Sequence, residues 1–80
     1  MSLNEIKQLI EKKLPNVKAF VESEDNVHFS AIVVGEVFRG QGKVAQQQLV
    51  YGALGDKIAT GEIHALTLRT LTPEVWEKEQ

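Results

Sequence analysis

Residues 27–34 read Val27-His28-Phe29-Ser30-Ala31-Ile32-Val33-Val34. The stretch begins as an alternation of apolar and polar side chains and ends as a continuous apolar run. This pattern predicts a central strand that is covered on at least one face, because apolar side chains on both faces must be kept from water. Residues 17–22 also alternate, and a polar turn at residues 23–26 joins the two stretches, so an antiparallel hairpin is predicted.

An amphipathic helix is predicted before this hairpin. Its apolar positions recur at spacings of three and four and are Leu3, Ile6, Leu9, Ile10 and Leu14. Either Ser2 or Asn4 is suited to cap its start, because a short polar side chain can accept a hydrogen bond from a free N–H of the first turn. Pro15 ends the helix, since proline disfavours the helical conformation in the residue before it.

A glycine-rich connection and a second helix are predicted after the hairpin. Residues 35–42 contain three glycines and leave room for at most one helical turn. The second helix is predicted from about Lys43 to Ala59. Its apolar stripe comprises Val44, Val50, Ala53, Leu54 and Ile58, while Gln46, Gln47 and Gln48 lie mainly elsewhere. Gly52 and Gly55 predict close packing or a break, because glycine inside a helix costs about 1 kcal/mol relative to alanine.

A third strand and a short terminal helix complete the chain. Gly61 is suited to the left-handed position beyond the second helix, and residues 63–71 have the composition of a strand. Thr72, Pro73 and Glu74 then provide a cap, a residue that fits the first helical position and a negative charge at the positive end of the helix dipole. The predicted order is helix, strand, strand, turn, helix, strand, helix. This is an α+β fold with one small sheet covered by helices.

The composition bounds the class of protein. The 80 residues have a mass of 8.9 kDa and are expected to form one domain. The absence of cysteine excludes disulfides, thiolate metal sites and cysteine nucleophiles. A formal charge of -2 and a pI of about 5.6 argue against a domain held to nucleic acid by bulk charge. No apolar run is long enough for a membrane span and the first residues do not resemble a signal peptide, so a cytoplasmic protein is expected.

The sequence has neither a catalytic constellation nor a nucleotide-binding loop. Ser30 lies on a predicted strand without the Gly-x-Ser-x-Gly turn of a serine hydrolase, and no enzymatic activity is expected. Residues 40–43 (GQGK) could hold an anion, but a Walker loop needs Ser or Thr after its lysine. They are interpreted as a structural connection, with loose phosphate contact as the alternative. Residues 52–55 (GALG) match the KH loop in letters only and are interpreted as helix packing.

Two histidines, His28 and His64, are the candidate metal ligands. Each opens a predicted strand, and the two would meet at one end of the sheet if those strands run side by side in the same direction. A hydrogen-bonded histidine without a ligand is the ordinary interpretation of such a position. Two imidazoles are too few to complete a structural metal site, so a site would need ligands from another chain.

Several segments together resemble the BolA family, and most closely its bacterial acid-stress branch. They are Phe38-Arg39-Gly40, Gln48-Leu49-Val50-Tyr51 with Leu54, Ile63-His64-Ala65-Leu66, and Thr70-Leu71-Thr72-Pro73-Glu74-Val75-Trp76. The resemblance covers nearly the whole chain, and its last two segments are specific in combination. It implies a single BolA-like domain over residues 1–80 with a class II KH-like fold, a three-stranded mixed sheet covered by helices.

The resemblance also implies a function. BolA-like proteins pair with monothiol glutaredoxins and share a [2Fe–2S] cluster, to which the glutaredoxin contributes a cysteine and a bound glutathione. The BolA partner contributes the histidine that corresponds to His64, and often a second His or Cys from the loop between the first two strands. Here that loop has neither, and His28 is the nearest candidate. Otherwise the cluster takes another ligand, or this member mainly forms the complex without a cluster.

Two other functions stay open. Some BolA relatives act as transcriptional regulators, so nucleic-acid binding through the KH-like layout is an alternative. Its phosphate-contacting residues would be Arg39, Lys43, Lys57 and Arg69. The chain would otherwise regulate a glutaredoxin by covering its surface, with the histidines incidental. The isolated protein is expected to be a monomer or a weak homodimer that holds no cofactor.

Overall fold

The computed structural model of this chain describes residues 2–26, 28–55, 57 and 65–80. In chain order the elements are helix α1 (Leu3–Lys13), strands β1 (Val17–Glu22) and β2 (His28–Gly35), a 3-10 turn (Glu36–Phe38), helix α2 (Lys43–Leu54), strand β3 (Ala65–Leu71) and helix α3 (Pro73–Glu79). This is the order that the sequence predicts. Within these described ranges, no helix is long and apolar enough to cross a membrane.

The three strands form one mixed sheet in the order β1-β2-β3. β1 and β2 pair antiparallel, as predicted, and β2 and β3 pair parallel. The parallel register runs from His28 opposite Ala65 to Val34 opposite Leu71. β2 is therefore the central strand, which confirms the interpretation of its apolar run, and the starts of β2 and β3 lie together at one end of the sheet.

One face of the sheet, here called the helix face, carries the hydrophobic core beneath α1 and α2. The buried side chains that meet there include Ile6, Ile10, Ala19, Phe29, Val33, Phe38, Val50 and Leu54. On the helices they lie four residues apart, and on β2 the buried Ala31 lies between Phe29 and Val33, so that every second residue is buried there. These are the periods that each element needs to present one apolar face. Gly35 ends β2 opposite Val17, where it permits a close approach of β1. A Cβ at this position would lie 2.5 Å from Val17 Cγ1 and would force Val17 to shift.

The opposite face, here called the open face, is covered only in part by α3. Trp76 stacks on Phe20 with ring centroids 5.0 Å apart. No residue of α3 is buried. Val34 and Leu71 are buried at one end of this face, whereas Ser30 and Thr67 are exposed toward the other. The starts of β2 and β3 are therefore the end of the sheet that stays open to solvent.

The second helix ends earlier than the sequence predicts. α2 stops at Leu54, and Gly55 is its C-cap with a φ of 27°, a backbone conformation that residues with a Cβ rarely adopt. The break predicted from the glycines is thus confirmed at Gly55. Close packing at Gly52 is wrong, because a Cβ there would meet no atom within 4 Å. The predictions for Ile58, Ala59, Gly61 and Ile63 lie outside the described residues.

Two positions of α2 are the reverse of what the sequence predicts. Val44, placed in the apolar stripe, is 71% exposed, and Gln46, placed elsewhere, is buried. The Gln46 side-chain nitrogen donates to the carbonyl oxygens of Phe38 at 2.9 Å and Gln41 at 2.8 Å, and its oxygen accepts from Thr70 Oγ1 at 2.7 Å. Burial of Gln46 is stable because each of its polar atoms has a partner.

The starts of the other two helices follow their cap residues. Ser2 caps α1, where its Oγ accepts from the Glu5 N–H at 3.2 Å and the Glu5 carboxylate accepts from the Ser2 N–H. This reciprocal pair is a capping box and selects Ser2 over Asn4. Thr72 occupies the N-cap position of α3, but its side chain makes no capping hydrogen bond. Pro73 is therefore the stronger start signal, because proline fits the first helical turn.

Candidate functional site

The candidate site lies at the open end of the sheet, where β2 and β3 begin. His28 is the first residue of β2, and its register partner is Ala65, the first residue of β3. The two strands run in the same direction. The sequence predicts that the two histidines meet under this condition. His64 immediately precedes Ala65 in the chain and lies outside the described residues.

The turn before β2 fixes the His28 ring. His28 Nδ1 lies 2.8 Å from Asp25 Oδ2, and the His28 backbone N–H donates to Asp25 Oδ1 at 2.9 Å. Ser23 Oγ donates to the His28 carbonyl oxygen at 2.7 Å and accepts from the Asn26 N–H at 2.9 Å. Asn26 itself has a φ of 59°, a left-handed conformation that asparagine tolerates in turns. The ring is thus held by a network of short polar side chains.

This anchoring leaves one ring nitrogen of His28 available. When neutral His28 carries its hydrogen on Nδ1, it donates to the Asp25 carboxylate, and Nε2 keeps its lone pair. A carboxylate that orients a histidine in this way is the usual support of a metal-binding imidazole. The His28 side chain is 73% exposed, so a second molecule can reach it. His28 also lines an open surface cavity of about 620 Å³ with Glu22, Ser23, Glu24, Asp25 and Ser30.

The described residues do not form a complete metal site. Among them there is no group of three His, Cys, Asp or Glu side chains that could hold a metal ion. Among the described residues, this end of the sheet offers one oriented imidazole, and a complete metal site needs further ligands. Imidazole is a common ligand of transition metals, and in some [2Fe–2S] centres histidine replaces cysteine at one iron.

Two of the four residues considered for phosphate contact are already in ion pairs. Arg39 donates to both carboxylate oxygens of Glu36 at 2.7 Å and to Glu74 at 2.8 Å. The hydrogen bonds to Glu36 and then to Glu74 raise the pKa of the Arg39 guanidinium above its usual value, and Arg39 lowers the pKa of Glu36. Arg69 makes a bidentate pair with Glu79, which raises the pKa of Arg69.

The two lysines do not join these arginines in a single patch. Lys43 Nζ donates to the carbonyl oxygen of Thr70 at 2.8 Å, so this lysine helps to hold the start of α2 against β3. Lys57 follows the other end of α2 and lines a surface groove with residues of α1, such as Lys12. The 12-residue helix α2, about 18 Å long, separates the two lysines. In the GALG segment, Ala53 and Leu54 are buried, as its interpretation as packing requires.

Asp25 is the site residue that sequence reasoning misses. It stands in a polar turn with other acids, a pattern for which solvation is explanation enough. The available signal is its spacing, because an aspartate three residues before a strand-opening histidine can reach both the backbone N–H and the ring of that histidine. The structure shows both contacts, at 2.9 and 2.8 Å.

The fold and this end of the sheet together define a small α+β protein with an anchored, exposed histidine at the open end of a three-stranded mixed sheet. The family model described as BolA-like protein matches residues 5–75, and the chain belongs to this family. The relative named acid stress protein IbaG, from Escherichia coli (strain K12), is 39% identical over 80 residues, which covers 100% of this chain and 94% of that protein.

Solved structures agree with this assignment. A BolA protein homologue from Coxiella burnetii has a TM-score of 0.85 at 38% identity, covering 96% of this chain and 97% of that one. The BolA domain of SufE1 from Arabidopsis thaliana has a TM-score of 0.78 at 28% identity, covering 91% and 93%. The predicted BolA-like fold, with its three-stranded mixed sheet, is therefore confirmed.

Proposed function

We propose that this chain is the partner of a monothiol glutaredoxin and supplies imidazole ligands to a [2Fe–2S] cluster held between the two chains. The observation that carries the proposal is the exposed His28 ring, which Asp25 anchors beside the start of β3. The chain has no cysteine, so the side chains that it can bring to the iron of such a cluster are its imidazoles in place of thiolates. The glutaredoxin contributes its cysteine and a bound glutathione.

The residues have distinct roles in this proposal. His64 is the ligand implied by membership of the family, and His28 is the second ligand. Asp25 is a positioning residue, because its carboxylate lies against Nδ1 and favours the tautomer that leaves the Nε2 lone pair for a metal. When bound, the cluster supplies electron-transfer or iron-delivery chemistry. Neutral imidazoles raise its potential relative to thiolates and hold it less firmly, as transfer or sensing in the cytoplasm requires.

Nucleic-acid binding is the less supported function. Arg39 and Arg69 each form ion pairs with carboxylates of the same chain, and Lys43 donates to a main-chain carbonyl. A phosphate would have to displace these partners, whereas a phosphate-binding surface usually offers several cations together. The described residues therefore favour the histidine end of the sheet as the place of function.

Visible absorption and circular dichroism test the proposal. Wild type, His64→Ala, His28→Ala and Asp25→Ala are each titrated into a monothiol glutaredoxin that carries its glutathione-ligated [2Fe–2S] cluster. Wild type is expected to shift both spectra, His64→Ala to abolish the shift and His28→Ala to change the spectrum and shorten the lifetime of the cluster. Asp25→Ala is expected to give an intermediate lifetime, because it frees the ring without removing it.

Val44→Ala is the matched control for these variants. Val44 is exposed at the start of α2, close to the opposite end of β3, and its truncation is expected to leave the mixed cluster unchanged. A complex that forms with both histidine variants and has unaltered spectra would mean that the chain only covers the glutaredoxin surface. Absence of any complex with wild type would reject the glutaredoxin partnership itself.

A further inference from the structure

β1 forms one outer edge of the sheet, and its outward main-chain groups can be identified. The Ala19 N–H donates to Glu11 Oε2 at 2.9 Å, so it points away from β2. Because main-chain groups alternate in direction along an antiparallel strand, Val17 and Val21 face the same way as Ala19. In the described part of the chain, none of these three residues has a hydrogen bond to another main-chain group beyond the sheet ladder, and the Ala19 N–H has Glu11 as its side-chain acceptor. The edge could therefore pair with another strand.

Glu11 occupies this edge from α1. Its carboxylate is held in place by Lys7 Nζ, which lies 2.9 and 3.0 Å from the two oxygens. The hydrogen bond from Ala19 and then that from Lys7 lower the pKa of Glu11, so the carboxylate stays ionised at neutral pH. Glu11 Oε2 thus takes the place that the carbonyl oxygen of an added strand would take. A charged side chain at a sheet edge is a common protection against unplanned pairing.

The side chains of β1 on the open face are complementary to a second copy of themselves. Lys18, Phe20 and Glu22 follow one another at every second position as a cation, an aromatic ring and an anion. Phe20 is 42% exposed. Within the described ranges, neither Lys18 nor Glu22 belongs to an ion pair. A groove of about 440 Å³ lies beside this edge and is lined by Lys7, Glu11, Val17, Lys18, Ala19 and Phe20.

We propose that a second copy of this chain pairs with the β1 edge, antiparallel about a two-fold axis at Phe20, and that Glu11 holds this interface closed in the monomer. In this register Lys18 lies opposite Glu22 of the partner subunit, so both ends of the pairing carry an ion pair. The outward groups of Ala19 meet those of Val21 of the partner subunit. A two-fold centred on Ala19 instead would place Lys18 opposite a phenylalanine and leave the charges unmatched.

Removal of Glu11 tests whether it holds the interface closed. Sedimentation velocity over a concentration series is expected to show that Glu11→Ala self-associates roughly tenfold to a hundredfold more tightly than wild type, because the Ala19 N–H loses a charged acceptor. Glu11→Gln keeps an oxygen acceptor and is expected to fall between the two. An unchanged association constant for Glu11→Ala would overturn the role of Glu11.

A cysteine placed at the two-fold tests the register, and the chain has no cysteine of its own to interfere. In Glu11→Ala, Phe20→Cys is expected to form a disulfide dimer under mild oxidation, because directly opposed residues have Cβ atoms about 5 Å apart. Glu22→Cys is the matched control on the same face. Its sulfur and the one in the partner would lie roughly 13 Å apart, beyond the reach of a disulfide. Equal rates of crosslinking would reject the two-fold at Phe20.

Reversing the charges of Lys18 and Glu22 tests whether they pair across the dimer, because a role within the monomer would not make the two reversals compensate. In Glu11→Ala, Lys18→Glu alone and Glu22→Lys alone each place like charges opposite one another and are expected to weaken the dimer several-fold. The double reversal restores opposite charges and is expected to recover the original association. A double variant that stays as weak as the single variants would contradict the proposed pairing.

Discussion

Two small polar networks lie near opposite ends of the β2–β3 pair, and they differ in nearly every physical respect. Near the ends of the strands, Gln46 and Thr70 are buried, and the Gln46 side chain makes three hydrogen bonds. At the starts of the strands, His28 and Asp25 are exposed, and the ring is held through one nitrogen. Because an unsatisfied polar group costs most where water is excluded, the first network serves stability and the second is free to serve binding.

The largest effect is expected from breaking the buried network. Gln46→Leu fills a similar volume but leaves the Thr70 hydroxyl and two carbonyl oxygens without the amide, so it should lower the free energy of unfolding by about 3 kcal/mol. Urea denaturation followed by far-UV circular dichroism measures this change. The exposed Val44→Ala is the control on the same helix and should stay within about 0.5 kcal/mol of wild type. Equal losses for the two variants would contradict the assignment of Gln46 to the core.

Removing only the Thr70 hydroxyl from the buried network should lower the free energy of unfolding by less than Gln46→Leu does. Thr70→Val keeps the side-chain shape and removes the hydroxyl that donates to the Gln46 oxygen, which should destabilise the fold by about 1 to 2 kcal/mol. The two residues share one hydrogen bond, so Gln46→Leu combined with Thr70→Val should cost less than the sum of the single changes. Strict additivity in this double-mutant cycle would show that the two side chains act independently.

Glu11 provides a polar contact of intermediate exposure between these extremes. Hydrogen bonds from Ala19 and Lys7 lower its pKa in the folded chain, so its contribution to stability is complete above the ordinary pKa of a glutamate. It is lost as the pH falls through the lower pKa of the folded state. Stability measured against pH for wild type and Glu11→Gln should therefore converge in acid. A constant difference between the two curves would mean that Glu11 does not titrate with folding.

The smallest effect on stability is expected at the exposed network. Asp25→Ala should change the free energy of unfolding by less than about 1 kcal/mol, because both partners are in contact with water. The informative measurement is the tautomer of His28, read from the nitrogen chemical shifts of its ring. The hydrogen should reside on Nδ1 in wild type and in Asp25→Asn, which keeps an oxygen acceptor. In Asp25→Ala this preference for the Nδ1 tautomer should be lost. The same tautomer in wild type and in Asp25→Ala would contradict the role of Asp25 as a positioning residue.

The same contrast explains what the sequence can predict. The element order, the hairpin and the central position of β2 follow from apolar periodicity, which reports burial along one element at a time. Gln46 escapes this reasoning because its burial depends on partners that other segments bring to it, namely Phe38, Gln41 and Thr70. The sequence does not decide where α2 ends, because Gly55 is compatible both with close packing inside the helix and with a break at its end.

In the candidate site, too, one residue can be predicted from the sequence and another cannot. His28 is found from its residue type and its place at a strand start, and the parallel register then brings it beside Ala65. Asp25 is missed because a turn aspartate has an ordinary explanation in solvation, and only the three-dimensional turn shows that it reaches the ring. The prediction for His64 stays a prediction, because that residue lies outside the described part of the chain.

The parallel pairing of β2 with β3 also has a consequence for the order of folding. The β1–β2 hairpin joins residues that are close in the chain, whereas the register of His28 with Ala65 requires closure of the long segment that contains α2. Non-local parallel pairing forms slowly, because the entropy of loop closure is lost before any contact is gained. We therefore expect a late folding step to bring the starts of the two strands together. An incompletely folded chain would carry His28 on its hairpin without β3 beside it.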